Sequence, residues 1–168
     1  MAQRHGRGKH WLQERPRLEY DELTMSEANR AFAKQWFERV WNQGRRDAIE
    51  EMLAPDGVIH EGNQDVVGPQ GFYSFFDRMH AAFSDIHITI EATFAEGETV
   101  CLRWSCTLRH TGDGLGIPAT GKLVKTTGIS IIRLHQGKLA EGWQNWDMLG
   151  LMQQITEAPQ AATYIAAT

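Results

Sequence analysis

The chain has 168 residues, a formal net charge of −4, 42% hydrophobic residues and 23% charged ones. That is one globular domain's worth of sequence, long enough to bury a core and too apolar to be disordered. The acidic balance speaks against a nucleic-acid partner, and no apolar run approaches the ~20 residues of a membrane span.

Residues 1–23 are basic at the start, lack apolar periodicity and contain Pro16, so they read as a mobile tail without the apolar h-region of a signal peptide. Thr24 and Glu27 have the spacing of a capping box, which predicts a helix start there. Phe32, Trp36 and Val40 form one row of that helix, with Ala33, Phe37 and Trp41 beside it, and Gly44 ends it. A short helix is expected over Asp47–Leu53, stopped by Pro55, and then a brief strand at Val58-Ile59-His60. Pro69 opens a third helix with Phe72, Phe75, Phe76, Met79 and Phe83 on one broad side.

After Ser84 the apolar period changes from helical to two. Ile86, Ile88, Ile90, Ala92 and Phe94 alternate with polar residues as far as the turn at Glu96-Gly97-Glu98. Val100, Leu102, Trp104, Cys106 and Leu108 define the next strand, which ends near His110. A loop covers Thr111–Gly121, a strand runs from Lys122 to Leu134, and the last strand runs from Leu139 to Asp147 beyond a turn at Gln136-Gly137. A short apolar helix, Met148–Ile155, leads into a C-terminal tail over 157–168. Cys101 and Cys106 lie about 16 Å apart on opposite faces of one strand and cannot pair, which suits a reduced, cytoplasmic protein.

Helices followed by antiparallel strands make an α+β domain, here over residues 24–156. Such a sheet cannot cover its own apolar face. A curved antiparallel sheet wrapped by the N-terminal helices becomes a cone with an internal pocket, and the six Trp and seven Phe fill or line it.

Several stretches carry a family resemblance. They are Asn42-Gln43-Gly44 with Asp47-Ala48-Ile49, Leu53-Ala54-Pro55-Asp56, Gly68-Pro69-Gln70-Gly71-Phe72 and Ala82-Phe83-Ser84-Asp85. His110-Thr111-Gly112 through Gly116-Ile117-Pro118-Ala119-Thr120-Gly121, and Asn145-Trp146-Asp147-Met148-Leu149-Gly150-Leu151, complete the set. In this order the chain, from about Met25 to Ile155, resembles the SnoaL-like polyketide cyclase (ester cyclase) family of the nuclear transport factor two-like superfamily. The resemblance implies the cone, a deep pocket and a homodimer formed through the outer face of the sheet. It also implies ring closure by intramolecular aldol chemistry without metal or organic cofactor. A carboxylate held in an apolar pocket, with its pKa raised, is suited to such proton removal. The family's catalytic Asp falls on Gln144 of this chain, and its partner His falls on Ser130. Glutamine donates and accepts hydrogen bonds but is no base.

The remaining acid/base candidates are Asp147, His60 and His110. Asp147 is also placed to cap the last helix, and His110 to anchor the loop that follows it. The expected pocket wall is Trp41, Phe76, Met79, Trp104, Cys106, Ser130, Gln144 and Trp146. Glu141 is expected to pair with Arg133 or Arg103. The seven His show no metal-ligand spacing, so neither a metal nor a cofactor is expected. The expected partners are a hydrophobic small molecule and a second copy of the chain, with no nucleic acid and no membrane. Three functions fit: a cofactor-free enzyme, a binding protein that keeps the pocket alone, and a dimeric scaffold.

Overall fold

The computed structural model describes residues 17–157. Its first element, α1 (Arg17–Trp36), starts seven residues ahead of the expected capping box, so Thr24 lies inside the helix. Residues 17–23 of the expected tail are therefore helical, and residues 1–16 and 158–168 lie outside the described residues. Arg, Leu and Glu sustain a helix without an apolar stripe, so periodicity alone misses this turn. α1 continues into a π-helical turn, Phe37–Asn42. The apolar stripe arrives as expected: Ala33, Trp36, Phe37, Val40 and Trp41 are all buried. After α2 (Asp47–Met52) come the hairpin strands β1 (Leu53–Glu61) and β2 (Gln64–Val67). β2 is a short edge strand of mostly exposed residues, with no alternation to announce it.

Helix α3 (Gly68–Ala82) carries buried Phe72, Tyr73, Phe76 and Met79. Phe83, expected on this helix, begins strand β3 (Phe83–Glu96) instead. Strands β4 (Thr99–His110), β5 (Leu123–His135) and β6 (Lys138–Trp146) follow, and then α4 (Met148–Thr156). The turn between β5 and β6 needs positive φ at two successive residues, and Gln136 (49°) and Gly137 (73°) supply it.

The six strands form one curved, unclosed sheet in the order β2-β1-β6-β5-β4-β3. The expected antiparallel meander is its larger part, but β1 pairs with β6 in parallel, which makes the sheet mixed. This pairing decides the site, because it sets Glu61 beside Gln144. Along β4 the inner face is Val100, Leu102, Trp104, Cys106, Leu108 and His110, all buried. On β3 a register shift between Ile90 and Ala92 reverses the phase. Thr93 then pairs with inward Leu102, and Phe94, expected on the apolar face, points outward at 67% exposure. The helices close over the inner face. Trp36 packs on Phe72 at 5.4 Å between ring centroids, and Phe37 on Trp104 at 6.3 Å. A fully buried aliphatic or Phe side chain of this kind contributes roughly 1.5–3 kcal/mol through removal from water.

Candidate functional site

The side chains between helices and sheet leave a narrow, half-open cavity. The π-helical turn places both Phe37 and Trp41 on its wall. Met79 and Phe75 of α3, and Trp104, Cys106 and Leu108 of β4, add to the apolar surface. Polar groups come chiefly from the paired strands β1 and β6, as Glu61, Gln144 and the indole of Trp146.

These polar groups form two short hydrogen-bonded chains. In the first, Trp104 Nε1 donates to Ser130 Oγ at 2.9 Å, and Ser130 Oγ donates to Gln144 Oε1 at 2.8 Å. The indole can only donate, so the hydroxyl proton passes on to the Gln144 carbonyl. The Gln144 NH2 group is then the donor left for the cavity. Trp104 fits flat against β5 because residue 128 is glycine: a Cβ there would stand 2.3 Å from the indole Cζ2. In the second chain Trp146 Nε1 donates to Glu61 Oε1 at 2.8 Å. Burial pushes the Glu61 carboxyl above its ordinary value, outweighing the Trp146 hydrogen bond and the positive charge of Arg78. Burial likewise pushes the Cys106 thiol up to about 11, so it stays protonated at neutral pH.

The structure brings together six of the residues expected in the pocket: Trp41, Met79, Trp104, Cys106, Gln144 and Trp146. Ser130 and Phe76 stand behind this wall. Ser130 is 1% exposed and bonded to Gln144, while Phe76 is held between Trp41 and His80. The three expected acid/base groups lie elsewhere. Asp147 is exposed, and its carboxylate accepts from Gly150 N at 2.8 Å as the N-cap of α4. His60 is on the outer face of the sheet, with Nδ1 2.7 Å from Asp65 and Nε2 3.2 Å from Glu141, and its ring stacks on Trp143. Asp65 and then Glu141 raise its pKa by bonding the charged imidazole. His110 is inward and fully buried, but the cavity wall ends at Leu108. Its Nδ1 accepts from Thr120 N at 3.3 Å, and its backbone bonds Lys122 and Gly121, so it anchors the loop over residues 111–121.

Glu61 is the residue the sequence reading misses. The signal was present. Ile59 faces inward on a strand, so Glu61, two residues on, shares its face, while His60 between them must face out. Ending the strand at His60 hid this. No group of three or more His, Cys, Asp or Glu that would hold a metal occurs among the described residues, and none of their helices is long and apolar enough to cross a membrane.

Comparison with known proteins agrees with this fold. Residues 31–155 match the model of the SnoaL-like polyketide cyclase family. The chain is 30% identical over 125 residues to the aklanonic acid methyl ester cyclase DnrD of Streptomyces peucetius, covering 70% of this chain and 84% of that one. The same identity and length relate it to the aklanonic acid methyl ester cyclase DauD of Streptomyces sp. (strain C5), with 76% of that protein covered. Among solved structures, a SnoaL-like protein of Jannaschia sp. CCS1 superposes with a TM-score of 0.74 at 23% identity, covering 88% of this chain and 99% of the other. A protein of Acidithiobacillus ferrooxidans described as a polyketide cyclase gives 0.71 at 28% identity, covering 80% and 99%.

Proposed function

The chain belongs to the SnoaL-like polyketide cyclase family, and from that premise we propose that it binds a hydrophobic, ring-sized organic molecule in the cavity and closes a ring in it without a cofactor. The observation that supports this most is the makeup of the cavity wall. Aromatic side chains surround one half-buried carboxyl and one amide donor on adjacent strands, which is the small set of convergent polar groups that orients a mostly apolar ligand. A folded polyketide chain presents apolar surface to Trp41, Phe75 and Trp104, and its carbonyls to Gln144. Holding the reacting carbons near one another supplies much of the rate in an intramolecular condensation. A methyl ester of a polyketide acid, as in the names of DnrD and DauD, is the first substrate to try.

The same reading includes a homodimer in a reducing, cytoplasmic setting. Phe94, Cys101, Ile131 and Trp143 lie in one register row across the outer face, from β3 to β6. Phe94, Ile131 and Trp143 are exposed, and with Ile129 and Leu123 they make an apolar surface of the kind that pairs.

Two measurements test the proposal. The first is quenching of tryptophan fluorescence by a hydroxyanthraquinone, followed by product analysis with aklanonic acid methyl ester. Saturable quenching and a cyclised product are expected; no binding at any soluble concentration contradicts it. The second is light scattering at micromolar protein, where a dimer mass that falls to monomer in Ile131→Glu is expected and a monomeric wild type contradicts the dimer.

A further inference from the structure

Resting on that pocket reading, we propose that Glu61 is the general acid/base of the site, standing on β1 in place of the carboxylate that β6 lacks at Gln144. The parallel pairing of β1 with β6 sets the two residues directly opposite each other, with both side chains on the cavity wall. Neighbouring strands are about 4.8 Å apart, so a group moved from one to the other still reaches the same bound molecule. Trp146 fixes the Glu61 carboxyl through Oε1, which leaves Oε2 for a substrate proton. The groups around it are Gln64 of β2, Gln144 and Trp146 of β6 and Arg78 of α3, and only Arg78 carries a charge. The other titratable groups do not compete. The Cys106 thiol stays protonated, Asp147 caps a helix, and His60 is tied up on the outer face.

The step is a proton shuttle. The Glu61 carboxylate takes a proton from a carbon next to a carbonyl. The C–H electron pair moves onto that carbonyl as an enolate, whose oxygen receives the hydrogen bond of the Gln144 NH2. The enolate carbon then bonds to a second carbonyl carbon of the same molecule, and the resulting alkoxide takes the proton back from Glu61. No atom is gained or lost.

Nitrobenzisoxazole tests this without knowledge of the natural substrate. A base removes the one C–H proton of its isoxazole ring as the N–O bond breaks, and the coloured cyanonitrophenolate is released. The wild type is expected to speed this elimination, with a rate that rises with pH through an apparent pKa above the ordinary carboxylate range. Glu61→Gln should lose ~10²-fold or more. It should still quench with the probe and keep its circular dichroism, because glutamine can accept the same Trp146 bond. Glu141→Gln, on the outer face, should keep the full rate. A probe that binds but is not accelerated, or an acceleration that survives Glu61→Gln, overturns the role of Glu61 and leaves the pocket reading intact. Failure of the probe to quench either form removes the pocket and the proposal with it.

Discussion

Glu61 and Glu141 are the same residue type on neighbouring strands, and they face opposite sides of one sheet. The inner one meets an indole N–H and apolar walls, and burial raises its pKa. The outer one meets His60 at 3.2 Å and Arg133 at 3.0 Å, and these hydrogen bonds and charges lower its pKa. Composition cannot separate the two, whereas strand parity does. The inner position makes a carboxyl more basic and turns it toward the cavity. The outer position spends it on a surface ion pair of small energetic value.

The contrast between the faces should show most strongly in packing. Leu102→Ala empties a fully buried inner site and should cost about 2–5 kcal/mol in denaturant unfolding. Ile129→Ala, on the outer face, should cost well under half of that when both are measured at the same protein concentration. Equal costs would break the distinction.

Next in size is a carboxyl added to the inner face. Gln144→Asp introduces a charge beside Glu61, where burial and the neighbouring carboxylate both raise its pKa. A rise of one unit is worth about 1.4 kcal/mol at neutral pH, and the penalty should shrink as pH falls and the group protonates. Thermal unfolding of both forms between about pH 5 and 8 reads this, and a difference that stays flat contradicts an inward Gln144. Asp147→Ala should cost about 0.5–2 kcal/mol, as expected for a lost helix N-cap, and should leave the elimination rate unchanged.

The smallest effects have opposite signs, which makes them the sharpest. A raised Glu61 favours the folded state while it is protonated. That contribution is complete below the ordinary glutamate pKa and is lost as pH rises through the raised value. Glu61→Gln should therefore gain melting temperature relative to wild type as pH rises through that window. A lowered Glu141 stabilises above the ordinary value and loses this as pH falls through its lowered one. Glu141→Gln should accordingly lose melting temperature at neutral pH and recover toward wild type in acid. His60, with a raised pKa, adds stability below the ordinary histidine value that fades as pH rises past its own.

Much of the fold was legible because burial writes itself into period. The change from helical to alternate spacing at Ser84 marks β3, and the run Val100 to Leu108 marks β4 and its inner face. The parallel β1–β6 pairing is not legible, because β1 offers only a short apolar pair, Val58 and Ile59, and β2 shows no alternation. Phe94 was misplaced because a register shift beside Ile90 leaves no mark in composition. Six of the eight residues expected in the wall line the cavity, while Ser130 and Phe76 pack behind it. Glu61 escapes notice because the family pattern draws attention to β6 while this carboxyl stands on β1.

The proposed chemistry stands on a raised carboxyl that faces the cavity at Glu61. Its most direct test is a pH titration of side-chain carboxyl carbons by NMR, with Glu61 and Glu141 assigned through their Gln variants. Glu61 is expected to titrate above the ordinary glutamate value and Glu141 below it. Glu61 titrating at or below Glu141 would contradict it.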